Sequence, residues 1–244
     1  MSLLAKLADL KAMLGLSETT LDAQLTLCLQ TASSQAEQAA GTVEGGLRRQ
    51  TGIVEYPASL PVQSRYARLA VRPIESVSSV KQASSPADDD EFADLDDLIQ
   101  GDDYLVTPRD LERIGSAWWL QARCLRVVYN AGYLNPATTV VAWATATAYA
   151  VGDLVTSGGS TYACLTAHTS AAAFAAGSQW AAVRLPPMSL QYGVLQQAAR
   201  LFQLKDTAGV EASMPAGGGS SVPLAPADLH PSLVSACAAL RLWS

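Results

Sequence analysis

The chain has 244 residues, of which 49% are hydrophobic and 16% are charged, so it can bury one large core or two small ones. Its formal net charge of -6 argues against tight nucleic-acid binding, because that affinity comes mainly from cations that neutralise phosphates. No apolar run approaches the ~20 residues of a membrane span, and the N-terminus has the pattern of a helix rather than of a signal peptide. We therefore expect a protein that is made and used in a cytoplasm, without membrane contact.

The opening segment predicts two helices. Leucines at helical spacing indicate the first helix, which Gly15 ends. Ser17, Thr19 and Thr20 offer side-chain oxygens that can cap a second helix, and Gly41 ends it. Its C-terminal half is nearly all Ala, Ser and Gln, which favours close, shallow packing.

The middle of the chain changes to the two-residue period of β-strands. Residues 66–71 and 74–81 predict short strands that meet at a bend containing Pro73, where the missing N–H does no harm. Residues 104–107 and 125–129 predict two further strands, the second of them half-buried.

The segment 83–97 is predicted to be an acidic loop. Its seven acidic residues are Asp88, Asp89, Asp90, Glu91, Asp94, Asp96 and Asp97. The pattern lacks the Gly and Glu spacing of a calcium loop, and no His accompanies it, so we expect neither a metal site nor catalysis there.

Residues 136–185 differ in composition from the rest of the chain, because they are rich in Ala, Thr, Ser and Gly and have almost no charge. Short β-runs at 153–156 and 161–166 flank the turn residues 157–160, which predicts a hairpin. The stretch is therefore interpreted as a small separate module.

The C-terminal part alternates between helix and linker signals. Ser189 can cap a regular amphipathic helix that reaches Leu204. Residues 206–228 are rich in Gly, Pro, Ala and Ser, which is typical of a flexible linker. A short amphipathic helix is predicted from Pro231. The four cysteines form no CxxC pair and are interpreted as buried apolar residues.

The order of these elements resembles the gp6-like head-tail connector proteins of tailed bacteriophages. Three stretches carry the likeness: LADLKAMLGLSETTLDAQLTLCLQTASSQAEQAAG, then RYARLAVRPIESVSSVKQ, and then DDYLVTPRDLERI with LRVVYNAGY and LPPMSLQYGVLQQAARLFQLKDTAG. In the family, the strand that ends in Ala-Gly-Tyr runs almost directly into the helix that begins after proline. Residues 135–185 therefore look like an insertion.

The resemblance implies a structural virion protein with no enzymatic activity, no cofactor and no metal. Such subunits form a ring, usually dodecameric, beneath the portal protein, where they extend the DNA channel and dock the next neck or tail protein. DNA passes through without specific binding. We expect the chain in the neck of the virion, after synthesis in the host bacterial cytoplasm. The portal-docking residues would be the apolar residues of the C-terminal segment: Leu229, Leu233, Val234, Leu240, Leu242 and Trp243.

Two charged regions have alternative interpretations in that setting. Asp88, Asp89, Asp90 and Glu91 either face the DNA channel and repel phosphate or belong to an ordinary solvated loop. A group of arginines forms surface salt bridges or contacts an acidic portal surface or DNA: Arg48, Arg49, Arg65, Arg68 and Arg72.

The inserted stretch resembles the small chitin-binding type of carbohydrate-binding module. Trp143, Tyr149, Tyr162 and Trp180 carry the pattern together with Gly152-Asp153. The rings either stack on sugar faces or form the core of the small module. The alternative function is therefore a carbohydrate-binding accessory or decoration protein.

Together the patterns predict an α+β protein: an α-helical connector core with a small antiparallel sheet, an inserted all-β module and an extended C-terminal tail. The predicted domains are a discontinuous connector core (1–134 and 186–206), the module (135–185) and a linker with a C-terminal anchor (207–244). Because the linker would isolate the anchor, deletion of residues 228–244 is expected to leave the fold intact but to abolish portal binding.

Overall fold

The computed structural model describes residues 3–42, 45–58, 63–207 and 229–241, without the side chains of 205–207 and 241. The fold is mixed α+β, as predicted. The chain forms two compact units, a helical unit (residues 1–45, 135–137 and 186–244) and a strand unit (46–134 and 138–185). The inserted stretch thus groups with the strands. Its independence as a domain stays a prediction.

The helices are α1 (Leu7–Leu14), α2 (Asp22–Ala39), α3 (Asp89–Ala93), α4 (Met188–Thr207) and α5 (Pro231–Arg241). The strands are β1 (Gln50–Glu55), β2 (Gln63–Ser64), β3 (Tyr66–Arg68), β4 (Ile74–Gln82), β5 (Tyr104–Val106), β6 (Asp110–Arg113), β7 (Trp118–Trp119), β8 (Leu125–Ala131), β9 (Val141–Ala142), β10 (Ala148–Tyr149), β11 (Leu154–Ser157), β12 (Ser160–Cys164), β13 (His168–Thr169) and β14 (Trp180–Val183). No described helix is long and apolar enough to cross a membrane.

The helical unit packs α2 against α4 and α5, with α1 beside α2 and α4. Its buried side chains are mostly aliphatic and small: Leu10, Leu25, Leu29, Ala32, Ala36, Leu190, Val194, Ala198, Leu233 and Cys237. At one point the backbones nearly touch, since a Cβ on Gly193 would lie 2.8 Å from Cα of Leu233. This close approach lies between α4 and α5, and the close packing predicted from the small residues of α2 stays a prediction.

The start of α2 differs from the prediction. Its N-cap residue is Leu21, which offers no side-chain oxygen to the helix. The Thr19 carbonyl instead accepts a hydrogen bond from the Asp22 N–H at 3.1 Å, and Lys11 pairs with the Asp22 carboxylate at 2.7 Å. A backbone turn and an ion pair thus take the place of the predicted side-chain cap.

The C-terminal helix is present, but it is not separate from the core. Leu233 is fully buried, and the Cys237 thiol lies 3.4 Å from the Ala36 carbonyl of α2. The side chain of the buried Gln197 on α4 accepts a hydrogen bond from the His230 N–H at 2.7 Å. The expectation of an isolated anchor is therefore corrected: α5 belongs to the helical unit. The predicted linker spans 206–228; residues 206 and 207 belong to α4, and 208–228 lie outside the described residues.

The strand unit contains a three-stranded antiparallel sheet in the order β1-β8-β4. β8 alternates buried and half-buried residues along its whole length, which confirms its two-residue period. A second sheet has the order β3-β6-β5, and β2 pairs with β7. The shared core includes Trp118, Tyr129 and Leu111, all fully buried. The sequence patterns did not predict β1, β2, β6 or β7.

The acidic stretch 83–97 is not a simple loop, because it contains the short helix α3. The Asp88 side chain accepts from the Glu91 N–H, and the Glu91 side chain accepts from the Asp88 N–H, both at 2.9 Å. This capping box and the fully buried ring of Phe92 hold one helical turn in place.

The inserted segment contains the predicted hairpin. β11 and β12 pair antiparallel with Ser157 opposite Ser160, and the two turn glycines have positive φ angles. β14 pairs with β12, while β9 joins β11 in parallel, which gives the order β14-β12-β11-β9. β10 and β13 form a separate two-stranded ribbon.

Candidate functional sites

Two of the four predicted sugar-stacking rings form the core of the inserted segment. Tyr149 and Trp180 are 7% and 5% exposed, and their ring centroids lie 5.2 Å apart in an edge-to-face arrangement. The Tyr149 hydroxyl accepts a hydrogen bond from the Ala144 N–H at 2.8 Å. In this arrangement neither ring offers an open face to a sugar.

His168 completes this core from the side. Its ring centroid lies 5.1 Å from that of Trp180, and its Nδ1 lies 2.7 Å from the Thr166 carbonyl oxygen. Because a carbonyl oxygen only accepts, Nδ1 carries the proton and donates it. His168 therefore satisfies a local hydrogen bond within the inserted segment.

The other two predicted rings, Trp143 and Tyr162, are half-buried and meet at a third ring, Phe174. The Phe174 centroid lies 5.8 Å from Trp143 and 4.7 Å from Tyr162. The three rings are the aromatic surface of the inserted segment that solvent reaches. Half-exposed rings of this kind can pack on the apolar C–H faces of sugars.

Phe174 was missed by sequence reasoning. It stands in the run SAAAFAAG, which has no strand or helix period. Its only signal is that it is the single aromatic residue in an alanine-rich stretch. The structure brings it within 5.6 Å of Trp180, measured between ring centroids, so it joins the buried and the half-exposed rings.

The thiol of Cys164 is buried beside these rings. Burial raises the pKa of the Cys164 thiol, and its Sγ lies 3.1 Å from the Thr166 carbonyl oxygen. Burial likewise raises the pKa of the Cys124 thiol. A raised pKa keeps these sulfurs as thiols rather than nucleophilic thiolates near neutral pH. Among the residues that the structure describes, no group of His, Cys, Asp and Glu could hold a metal ion.

The predicted portal-docking residues are not a single exposed patch. Leu233 is fully buried, Leu229 and Leu240 are half-buried, and Val234 is 48% exposed. Leu242 and Trp243 lie outside the described residues. Portal docking by this set stays a prediction.

The four predicted channel-facing acidic residues are all exposed. Asp88 and Glu91 hold the capping box of α3, and Asp89 accepts a hydrogen bond from the Tyr56 hydroxyl. Arg123 lies 3.4 Å from the same Asp89 carboxylate. Three of the four are thus engaged in local contacts, and their position in a channel stays a prediction.

Some of the predicted arginines form salt bridges within the strand unit. Arg49 forms a bidentate pair with Glu75, at 2.7 and 2.9 Å. Arg65 lies 2.7 Å from Glu112. For these two arginines the salt-bridge interpretation is confirmed.

Comparisons with known proteins agree with the resemblance of the inserted segment. Residues 142–181 match the model of carbohydrate-binding module family 5/12. The match is confined to this part of the chain. A comparison with curated proteins returns no match.

Among solved structures, the chain is similar to a chain of the neck of an empty gene transfer agent (GTA) particle computed with C6 symmetry. The two share 13% identity, the alignment covers 98% of this chain and 89% of the other, and the TM-score is 0.46. At this identity and TM-score, the likeness alone assigns no function to the present chain.

Proposed function

We propose that the chain is a structural subunit of the neck of a phage-like particle, a head-tail connector that forms a ring beneath the portal. In this role the ring extends the DNA channel and docks the next neck or tail protein. DNA passes through the channel without specific binding, and the subunit catalyses no reaction.

The proposal is supported by the way the three connector-like stretches come together. The opening helices α1 and α2 pack against α4, whose sequence lies about 150 residues further along the chain. The Arg72-Pro73 strand β4 pairs antiparallel with β8, the strand that ends at Ala131-Gly132-Tyr133. Segments chosen only by their likeness to one family are thus neighbours within each unit, although the 51 residues 135–185 separate the segment that forms α4 from the others.

The backbone at the end of β8 gives a local reason for one of these motifs. Gly132 has a φ of +99°, and a Cβ there would lie 2.2 Å from the Arg48 carbonyl oxygen. Only glycine fits this position. The Ala-Gly-Tyr sequence therefore marks a close crossing of two chain segments in this strand unit.

Electron microscopy of purified particles tests the proposal. With the chain fused to a small protein tag, we expect added density in a ring between the portal and the tail. A matched particle with the same tag on a tail-tip protein is the control for placement. Absence of the chain from the neck, with intact particles otherwise, would overturn the proposal.

The second candidate function is carbohydrate binding by the inserted segment. It is favoured by one observation, the half-exposed set Trp143, Tyr162 and Phe174 within a stretch that matches carbohydrate-binding module family 5/12. Stacking of nucleic-acid bases on aromatic side chains is worth about 1–3 kcal/mol per base, and we expect a contribution of similar size from a sugar on one of these rings.

A chitin pull-down separates this candidate from a structural role for the rings. Trp143→Ala and Tyr162→Ala should each lower chitin binding by about tenfold without loss of the fold. Trp119→Ala, a half-buried tryptophan outside the inserted segment, is the matched control. Wild-type chain that fails to bind chitin or other glycan polymers would exclude this function.

A further inference from the structure

Four arginines from distant parts of the sequence converge at one end of the β1-β8-β4 sheet. They are Arg68, Arg72, Arg109 and Arg184, called here the arginine cluster. Arg68, Arg72 and Arg109 all act electrostatically on the Asp110 carboxylate, while Arg109 and Arg184 act on the Tyr133 hydroxyl. Backbone hydrogen bonds join the chain segments that carry these arginines. The Ile74 N–H donates to the Pro108 carbonyl, and the Leu134 N–H donates to the Arg184 carbonyl.

Three members of the arginine cluster, Arg68, Arg72 and Arg184, are poorly neutralised. Arg68 lies 4.0 Å from Asp110, and no described carboxylate lies within ion-pair distance of Arg72 or Arg184. The buried Nε of Arg72 makes no hydrogen bond to any described residue. Burial raises the pKa of Asp110 even though three arginines act to lower it. The single weakly placed carboxylate of Asp110 therefore faces three guanidinium groups, and Arg184 acts on the neighbouring Tyr133.

The other acidic residues of this region are already engaged. Glu75 is held by Arg49 and Glu112 by Arg65. The Glu55 carboxylate accepts hydrogen bonds from the Ala70 N–H, at 3.0 Å, and from the Tyr129 hydroxyl. An excess of positive charge remains, with Arg68 and Arg184 well exposed.

The opposite end of the same sheet is negative. Residues 88–97, called here the acidic segment, pack beside the C-terminal end of β4, where the Ala83 N–H donates to the Cys124 carbonyl and the Ala87 N–H to the Arg123 carbonyl. Its seven carboxylates are all exposed. The basic groups nearby are Lys81, which donates to the Ala93 carbonyl, together with Arg123 and Arg126.

The distance between the two charged ends follows from the length of β4. This strand has nine residues, with Arg72 just before it and the acidic segment after it. At ~3.3 Å per residue the ends lie roughly 27 Å apart. That is several times the ~8 Å over which salt screens charges at physiological ionic strength. The two ends therefore do not neutralise each other within one copy.

We propose that the arginine cluster of one copy binds the acidic segment of a second copy of this chain. A contact between two different surfaces is head-to-tail, and repeated around a rotation axis it closes into a ring. The inference rests on the proposed function in one respect: a ring subunit needs two different complementary faces, and these ends supply them.

Double-stranded DNA is the competing occupant of the arginine cluster. The self-contact is favoured because the chain carries both partners of the pair, the arginine cluster and the acidic segment. Complementary charges at an interface guide association and fix which surfaces meet.

Two charge-reversal variants test the pair. The first carries Arg68→Glu with Arg184→Glu, and the second carries Asp94→Lys with Asp96→Lys; all four side chains are exposed. The control is Asp9→Lys with Glu18→Lys, two exposed acidic residues of the helical unit. Sedimentation velocity of the full chain at low and high salt measures self-association, and circular dichroism verifies the fold.

We expect wild-type and control chains to associate at low salt and to weaken as salt rises. Each charge-reversal variant alone should raise the dissociation constant by about tenfold or more, because like charges then meet. A 1:1 mixture of the two variants should restore association, since each reversed end meets an opposite charge on the other chain. A merely unfolded variant would not be rescued by mixing.

Three outcomes would overturn the inference. If both variants associate as the wild type does, and particles still show a ring containing the chain, the ring interface lies elsewhere and the proposed function stands. If only the arginine variant loses binding to a fluorescent DNA duplex while association is unchanged, the cluster is a DNA contact. A wild-type chain that neither self-associates nor occurs in the particle neck would remove both the inference and the proposed function.

Discussion

The helical unit and the inserted segment fill their cores with different kinds of side chain. The helical unit uses many small aliphatic residues and brings α4 within backbone contact of α5 at Gly193 and Leu233. The inserted segment uses few, large rings, with Trp180 in contact with both Tyr149 and Phe174. Small side chains permit close approach over long surfaces, whereas rings fill space where little chain is present.

The difference indicates how strongly a single substitution should destabilise each region. In the helical unit the stabilising contacts are spread over long helices, so truncation of one side chain leaves most of these contacts in place. In the inserted segment a single ring joins strands β12 and β14 to the ribbon β10-β13. We therefore expect the largest single effects in the aromatic core, and the following predictions test that order.

Trp180→Ala should destabilise the inserted segment by about 3–5 kcal/mol, because it removes the largest ring of a small core and leaves a cavity. Urea unfolding measures the free energy, and hydrogen exchange localises the loss to residues 138–185. Trp119→Ala, in the two-residue strand β7, is the matched control. A cost below about 1 kcal/mol would show that Trp180 is not the centre of this core.

Leu233→Ala should destabilise the helical unit by about 2–5 kcal/mol, because the side chain is fully buried between α4 and α5. Val234→Ala is the control on the same helix, since Val234 is 48% exposed and its loss should cost under about 0.5 kcal/mol. Equal effects of the two substitutions would contradict the packing of α5 and would favour a free C-terminal segment.

Gly193→Ala should destabilise by about 1–3 kcal/mol, although alanine favours helix formation. The added Cβ would lie 2.8 Å from Cα of Leu233, so α5 must shift. Thermal unfolding measures the change, with Gln196→Ala on the half-exposed side of α4 as the control. A stabilised Gly193→Ala chain would mean that α4 and α5 are not in backbone contact.

Tyr129→Phe should change how stability depends on pH above ~10, the ordinary pKa of tyrosine. Burial raises the pKa of Tyr129 well above its usual value, and the hydrogen bond to Glu55 adds to this effect. A folded pKa above the unfolded one gives stability that is complete below pH ~10 and is lost as pH rises. The wild type should therefore lose more stability between pH 9 and about 11 than the variant.

The pKa values of Tyr56, Tyr104 and Tyr133 are raised too. The Tyr129→Phe variant should therefore still lose part of its unfolding free energy as pH rises. Tyr66→Phe, which removes the hydroxyl of an exposed tyrosine on β3, is the matched control. Urea unfolding at several pH values measures how the free energy of unfolding changes with pH. If this change is identical for the wild type and Tyr129→Phe, the Tyr129 hydroxyl is not buried as described.

Sequence periodicity predicted the regular helices and strands, but it did not predict elements whose conformation depends on tertiary contacts. The helices α1, α2 and α4, the strands β4 and β8, and the hairpin β11-β12 each carry a clear period or turn signal. β1 carries none, because Gly52 has a φ of +65° and a bulge interrupts its pairing with β8. α3 was missed because its capping box stands inside a run of charge that is typical of solvated loops.

The candidate sites were predicted unevenly for the same reason. Trp143 and Tyr162 were identified from a motif, whereas Phe174 became recognisable only when the fold placed it between them. In the arginine cluster, Arg68 and Arg72 were singled out together, but Arg109 and Arg184 lie far along the sequence. Their convergence depends on strand pairing, which no local pattern contains.

The separation of charge along β4 gives the strand unit a permanent electric dipole moment. In an open head-to-tail polymer such moments point the same way from copy to copy and add up. In a closed ring, rotational symmetry cancels their components in the ring plane. Closure of the ring would therefore be visible as a drop in transient electric birefringence per subunit, without any label on the chain.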